Sequence, residues 1–528
     1  MKLIIFTLVL WTCQVAASVL SLLHLESLNK RGIDKRAVVR TINAKVPKSA
    51  PAGRQVIDAA FQSFSIEFSY MLDYAGNNTH PNKFSYNIIQ SLKDISGAYP
   101  IIRAGGTTQN RANFYENQTT ALIQKLNPGA DQPSSLSVGP TWMQSFQQFP
   151  SGTQYIYGLN FYDGDAGKEQ AVLQAVAAFD NIGDNLYAFE IGNEVDGFNT
   201  GTRRPTTWGI KDYVKQWKEY AAAIEKELGR SNSKPLFQAG NFQAPRNLVD
   251  ASRFTAATAI KEGIDSTGMV KTISDHDYMG SNCGDTNTNS LVKNILNHAR
   301  MTSLMWYHEV LGNYSVSQNI PYVIGETNSI SCQGQLGLSD VFAASLWSID
   351  YTLYVATLSV SRIYFHNGTP YRYSAWQPIA TSTAPAQAKP LFYGSWFIAS
   401  ALSGGNKQVA LLVNETRFTA YAIYEASPAK LSAIAVINLE IFNTTMKQED
   451  RPITDFVLPS DVDVSNARVR RLTAPGVEKA DNITWAAQHI SSGGTIAGTR
   501  KTEKLVGGGR TVEVGAGEAV LVSFVDFS

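Results

Sequence analysis

A chain of 528 residues, with 44% apolar and 17% charged side chains, is too long for one small core and too apolar for disorder. Its formal net charge of +1 excludes a molecule built around a dominant cationic face for nucleic acid or an anionic bilayer, although a local basic patch is compatible with it. Beyond the first residues no run of about 20 apolar side chains appears, the length a membrane-crossing helix needs.

In chain order, Lys2, the apolar run Leu3–Trp11 and the small residues Val15-Ala16-Ala17 before Ser18 predict a signal peptide over 1–17, with a short membrane anchor as the alternative. Residues 18–36 read as a propeptide or linker. Lys30-Arg31 and Lys35-Arg36 within it are either dibasic processing sites or solvated charge. Residues 37–58 contain the alternating stretch Ala37–Lys45, which predicts an N-terminal strand that joins the C-terminal domain.

From 59 to 402 short apolar runs alternate with amphipathic stretches. The runs are Phe64–Phe68, Tyr99–Ala104, Tyr155–Leu159, Leu186–Ile191, Leu236–Ala239, Val270–Ser274, Tyr322–Ile324 and Arg362–Phe365. Between most of them, Asn82–Ile95, Lys168–Phe179, Lys211–Leu228, Asn289–Leu311 and Ser339–Ala356 carry the i, i+3, i+4 spacing of helices. Eight strands with intervening helices predict an α/β fold, a catalytic (β/α)8 TIM barrel. The second unit is the least regular, since 117–149 has no clear helical period. From 403 to 528 the chain reads as strands and turns, with examples at Gln408–Asn414, Phe418–Glu425, Leu431–Leu439, Ile453–Leu458, Ala467–Leu472 and Glu518–Phe524. These predict a C-terminal antiparallel β-sandwich.

Removal of 1–17 would leave Cys283 and Cys332, which in an oxidising compartment form one bridge or else stay two buried thiols. A bridge closing a loop of about 50 residues stabilises by roughly 4 kcal/mol in the chain-entropy picture. Sequons stand at Asn77, Asn117, Asn313, Asn367, Asn414, Asn443 and Asn482. In a secreted, extracellular protein several would be glycosylated.

Catalytic groups of such barrels sit where strands end, on one face. Two strand ends carry a carboxylate there: Phe189-Glu190-Ile191-Gly192-Asn193-Glu194 on the fourth and Pro321-Tyr322-Val323-Ile324-Gly325-Glu326 on the seventh. Those strands lie across the barrel from each other. Glycoside cleavage with retention needs two carboxyls about 5–5.5 Å apart, one ionised to attack the anomeric carbon and one protonated to release the leaving oxygen. Glu326 is the candidate nucleophile, Glu194 the acid/base, and Asn193 a donor to the sugar 2-hydroxyl. Glu190 reads as a paired structural carboxylate. Asp275-His276-Asp277-Tyr278 looks superficially like a metal cluster, but no second ligand group at suitable spacing accompanies it, and neither metal nor cofactor is expected.

Gly192-Asn193-Glu194 and Gly325-Glu326 resemble the large barrel clan of retaining glycosidases. Within it the chain resembles glycoside hydrolase family 79, the β-glucuronidase and heparanase family, and among its members the fungal secreted β-glucuronidases. Arg103-Ala104-Gly105-Gly106-Thr107 is similar to the family's turn after strand two, Tyr157-Gly158-Leu159-Asn160 to its strand-three end, and Glu326-Thr327 with Leu338-Ser339-Asp340 to the spacing after its nucleophile. The resemblance spans roughly residues 60 to 400.

It implies an exo- or endo-acting cut at a β-linked glucuronic acid, and leaves open whether a 4-O-methyl group is accepted. It also implies carboxylate binding by backbone amides after the nucleophile and a tyrosine after strand eight. By position these match Cys332, Gln333, Gly334 and Tyr373, although heparanase has consecutive glycines at the first three. His276, Tyr278, Glu67, Arg103 and Asn160 are further substrate-side candidates. Tyr278 is placed to orient the nucleophile, and Glu67 and Arg103 are open to reading as structural ion pairs. Trp142 and Trp208 are sugar-stacking or packing residues. Exo action is favoured because no dense basic run flanks the catalytic loops. The alternatives are an endo-β-glucuronidase, a related barrel acting on another sugar, and an inactive glycan-binding wall protein. The expected partner is the glucuronate-bearing carbohydrate, with no nucleic acid and, after signal removal, no membrane.

Overall fold

The computed structural model describes residues 39–162, 164–230, 234–243, 248, 252–284, 288–505 and 509–525. The expected signal peptide and the segment after it lie outside them. Eight parallel strands close into a barrel: β1 (Gln62–Glu67), β2 (Ile102–Gly105), β3 (Tyr155–Leu159), β4 (Leu186–Ile191), β5 (Phe237–Phe242), β6 (Val270–Tyr278), β7 (Tyr322–Asn328) and β8 (Arg362–Asn367). Each pairs with its sequence neighbour, and β8 returns to β1 with Ile363 opposite Gln62.

The helices of the outer layer are α1 (Lys83–Ser96), α2 (Gly164–Ile182), α3 (Ile210–Glu227), α4 (Ala256–Lys261), α5 (His298–Ser317), α6 (Phe342–Val355) and α7 (Pro390–Ala401). α1 shows how such a helix is specified. Asn82 caps its start by accepting from the Ser85 N–H, Gly97 ends it at φ 91°, and Phe84, Ile88, Ile89 and Leu92 form its buried stripe. Between β2 and β3 the irregular second unit is a small sheet of Ala112–Phe114, Leu122–Lys125 and Ser135–Val138, followed by the single turn Pro140–Met143. The long helix expected over Asn289–Leu311 is broken. Leu291–Ile295 forms a π turn, and Asn297 caps α5 afresh through the Arg300 N–H.

Inside the barrel, Ile101, Ile156, Ala188, Val323 and Tyr364 form an apolar plug at the lower end. Burying a side chain such as Val or Ile stabilises by about 1.5–3 kcal/mol. Above the plug the inward positions turn polar.

The second unit begins after α7. Lys407–Glu415, Phe418–Ala426, Ala429–Asn438, Glu518–Ser523, Arg468–Thr473 and Thr484–Trp485 lie side by side in one antiparallel sheet, with Glu503–Lys504 added at Arg468–Thr473. A second sheet stacks Val39–Asn43, Ile453–Val457 and Thr511–Gly515. Val39 lies opposite Ile453 in parallel, so the N-terminal strand is part of the sandwich. Alternation gives the large sheet two buried faces. Ala420, Val436 and Val520 point into the sandwich, whereas Tyr421, Ala435 and Leu521 join the core that runs into the barrel. Tyr421 also donates to Asp350 Oδ1 of α6 at 2.6 Å, a polar tie between the two units.

Candidate active site

At the end of β4 the chain turns through Gly192 (φ 80°) and reaches Glu194 at φ 49°, ψ 46°, a left-handed conformation uncommon for a residue with a side chain. The Glu194 N–H holds that turn by donating to Asn241 O at 2.8 Å. On β7 the plug residue Val323 points inward, so an unbroken pleat would turn Glu326 outward. A register shift corrects this, because Ile324 pairs Asp275 and the next pair is Glu326 with His276. The two carboxylates therefore face each other. Oxygens of Glu194 and Glu326 and a ring nitrogen of His276 all lie within 4.8 Å of one another. They line a cavity of about 540 Å³.

The two carboxyls have different surroundings. The Glu326 side chain is 8% exposed and bonds on both oxygens, with Arg103 Nη1 donating to Oε2 at 2.8 Å and the Tyr278 hydroxyl to Oε1 at 2.7 Å. Burial alone would push this carboxyl up. The charges of His366, His276 and Arg103 and the Tyr278 bond outweigh it and hold Glu326 well below the usual carboxylate range. Burial likewise acts against charge on His366, but the Glu326 carboxylate and a bond to Glu67 raise it. Arg103 is fully buried and also bonds Glu190 through Nε at 2.7 Å and Nη2 at 2.6 Å, Asn193 Oδ1 at 2.7 Å and Ser65 Oγ at 2.9 Å.

The Glu194 side chain is 25% exposed and has no arginine or lysine among its described partners: His276 Nδ1 lies at 3.2 Å, and the Gln243 amide donates to Oε2 at 3.1 Å. The Gln243 N–H donates to Asp196 Oδ1, and burial pushes the Asp196 carboxyl up. Glu194, His276 and Glu326 are the group among the described residues close enough to meet on a cation. Their facing atoms already bond Arg103, Tyr278, Gln243 or one another.

The loops after β6 and β7 run side by side, since Ser331 N–H donates to Gly280 O and Asn282 N–H to Ser331 O. The Cys283–Cys332 disulfide closes them together. Cys332 (φ 57°) and Gln333 (φ 65°) are left-handed, line the cavity, and their N–H groups meet no acceptor among the described residues. Gly334 differs from the expectation. Its N–H is taken by Ile330 O at 3.1 Å and it does not line the cavity. Its role is conformational, because at φ 81° an added Cβ would meet Tyr373 N at 2.9 Å. Tyr373 lines the cavity beside Tyr278, with ring centroids 6.1 Å apart.

Other expected site residues separate. Arg103 lies beneath the cavity and cannot reach a sugar. Asn160 is buried, donating to Ala112 O and accepting from Tyr162 N–H, so it shapes the wall behind β3 rather than the cavity. Glu67 borders the cavity, but Thr108, Gln132, Tyr371 and His366 occupy its oxygens. Asn193 gives its oxygen to Arg103 and keeps its amide nitrogen for another partner. Trp142 stacks on Phe68 and Trp208 on Phe254, both as packing. Asn367 is fully buried and donates to Ser65 O and Phe365 O, so this sequon cannot accept a glycan. The sequence reading missed Gln243 and His366. His366 was within reach, two positions past Tyr364 on the same strand face.

Residues 420–521 match the glycosyl hydrolase family 79 C-terminal beta domain. A β-glucuronidase of Aspergillus niger is 34% identical over 447 residues, covering 80% of this chain and 82% of that one. A β-glucuronidase of Neurospora crassa is 32% identical and covers 92% and 97%. Among solved structures, a 4-O-α-L-rhamnosyl-β-D-glucuronidase of Fusarium oxysporum superposes with TM-score 0.78 at 26% identity, over 92% of this chain and all of that one. A family 51 α-L-arabinofuranosidase of Bifidobacterium longum shares the fold alone, with TM-score 0.57 at 12% identity. Relatives of that identity span most of the chain and the terminal sheet matches the family's own domain, so the chain belongs to glycoside hydrolase family 79.

Proposed function

We propose that the protein is a retaining, exo-acting β-glucuronidase. The observation that carries this reading is the pair Glu194 and Glu326, facing across one cavity with oxygens within 4.8 Å, near the separation of about 5–5.5 Å that retention uses. The β-glucuronidase relatives supply the sugar.

In the first step the ionised Glu326 attacks the anomeric carbon. The bond to the leaving oxygen breaks as protonated Glu194 gives that oxygen its proton, leaving a glycosyl ester on Glu326. In the second step the Glu194 carboxylate takes a proton from water, and the water oxygen displaces Glu326 to release glucuronic acid with the starting configuration. Arg103 and Tyr278 keep Glu326 ionised before attack and stabilise it again as it leaves. The Cys332 and Gln333 amides and the Tyr373 hydroxyl hold the uronate carboxylate, and the Asn193 amide meets the 2-hydroxyl. Exo action is favoured because, among the described residues, a single arginine and no lysine lines the cavity, whereas a highly sulfated polymer would need many. The Fusarium neighbour acts on a glucuronate carrying a 4-O-rhamnosyl group, so 4-O-substituted glucuronides belong in the substrate panel beside the unsubstituted one.

Export is the proposed destination, supported by the signal peptide expected over 1–17 and by a disulfide that needs an oxidising compartment. The exposed sequons Asn117, Asn313, Asn414 and Asn482 are the favoured glycan sites, with Asn77 and Asn443 partly exposed.

A 2-fluoro-glucuronide with a good leaving group should label Glu326 covalently, and Glu326→Gln should lose both label and turnover. Glu194→Gln should keep the first step on activated aryl glucuronides and lose it on natural aglycones. Product NMR should show the β-anomer first. Release of the α-anomer, or better turnover of β-glucosides than β-glucuronides, would overturn the reading.

A further inference from the structure

A uronate entering this cavity meets three carboxylates on its walls, Glu67, Glu194 and Glu326. Two backbone amides and a phenol offer hydrogen bonds to its carboxylate but no full counter-charge. Most cations near the site are committed. Arg103 lies between Glu190 and Glu326, His366 between Glu67 and Glu326, and Arg372 is paired with Asp131.

Arg300 differs. It is the one lysine or arginine lining the cavity among the described residues. It stands in the first turn of α5, anchored through its backbone N–H to Asn297 Oδ1 at 2.9 Å. Its side chain makes no ion pair with any described residue, and its Nε is buried without a hydrogen-bond partner. A guanidinium that lines the cavity with no carboxylate beside it among the described residues is placed to take an anionic acceptor that arrives with the substrate. Arg300 borders the same cavity as Cys283, Ser331, Cys332 and Gln333, the loop pair that presents the two unclaimed amides.

We propose that Arg300 is a specificity-determining residue that supplies the charge partner of the uronate carboxylate, beside the Cys332 and Gln333 amides. This rests on the β-glucuronidase reading. Under it, selection for glucuronide over glucoside comes from charge as well as from amide geometry. A guanidinium can meet a carboxylate through two parallel N–H bonds, so lysine is an incomplete substitute.

The test measures kcat/KM for p-nitrophenyl β-glucuronide and β-glucoside in the wild type, Arg300→Gln and Arg300→Lys. Arg300→Gln should reduce the glucuronide-to-glucoside ratio by roughly 10- to 100-fold, mainly through the glucuronide KM, and Arg300→Lys should recover part of it. The wild-type preference should also weaken as salt rises, and that of Arg300→Gln should respond less. A ratio unchanged in Arg300→Gln, or an equal loss on both substrates, would overturn the role of Arg300 while leaving the glucuronidase reading intact. A wild type without glucuronide preference would instead overturn that reading first.

Discussion

The lower and upper halves of the barrel interior are built by the same strands and differ in kind. One inward position on four strands, with Ile101 just before β2, gives Ile101, Ile156, Ala188, Val323 and Tyr364, an apolar plug. Two residues further along, the same face gives Arg103, Gly158, Glu190, Gly325 and His366. The two glycines make room for polar groups, since a Cβ on Gly325 would meet Ser274 Oγ at 2.2 Å and one on Gly158 would meet Gln109 Oε1 at 2.3 Å. The plug needs only volume and shape. The platform above it needs charge balance, because an ion taken out of water is tolerated only when paired and hydrogen-bonded. Packing in the lower half therefore supports a site whose chemistry is set by electrostatics in the upper half.

The largest expected effect breaks the platform. Arg103→Met keeps volume but leaves Glu190 and Glu326 buried without their shared cation. It should cost about 3–5 kcal/mol in denaturant unfolding. It should also lift the Glu326 carboxyl, since Arg103 is one of the charges that lower it, and remove nearly all turnover. Near-normal stability and turnover would mean that the upper layer does not depend on charge balance, and the contrast with the plug would fall.

A smaller change keeps the charges and removes one bond. Tyr278→Phe retains the ring beside Tyr373 but no longer donates to Glu326 Oε1. A hydrogen bond to a charged group contributes about 1.5–3 kcal/mol, so kcat/KM should fall roughly 10- to 100-fold. The bond lowers the Glu326 carboxyl, so its loss raises it. The acidic limb of the kcat/KM profile should accordingly move to higher pH. A lower rate with an unmoved limb would assign Tyr278 to the sugar instead of to Glu326.

This difference between layers also explains what the sequence disclosed. The apolar starts of the strands were legible, and with them the barrel and both strand-end glutamates. The partners of the polar ends were not. The apolar run of β6 ends at Ser274 and the strand closes, as expected, with Asp275–Tyr278, whose backbone pairs His276, Asp277 and Tyr278 with Glu326, Thr327 and Asn328 on β7. α7 escaped notice for a different reason. It is buried on every side, so no amphipathic period marks it. Arg103 was legible as a cation near Glu326. Its place beneath the cavity was not, because depth along the barrel axis depends on strand stagger. Gly334 looked like an amide donor by position, and only the turn geometry shows that Ile330 has taken its N–H.

The smallest effect on activity belongs to the plug. Val323→Ala removes two methyl groups from a site with no exposed surface and should cost about 2 kcal/mol of stability. Between Val323 and the reacting carboxylates lie Gly325 and the register shift that turns Glu326 inward, and the bonds fixing Glu326 come from Arg103 and Tyr278 on other strands. A cavity below therefore has no direct route to the orientation or charge of Glu326. Thermal unfolding should register the substitution, while kcat/KM stays within about 2-fold and the acidic limb stays in place, since packing defects away from a site act mainly on stability. A limb displaced as in Tyr278→Phe would show that the plug also sets the height of Glu326, and the two halves would then have to be treated as one coupled unit.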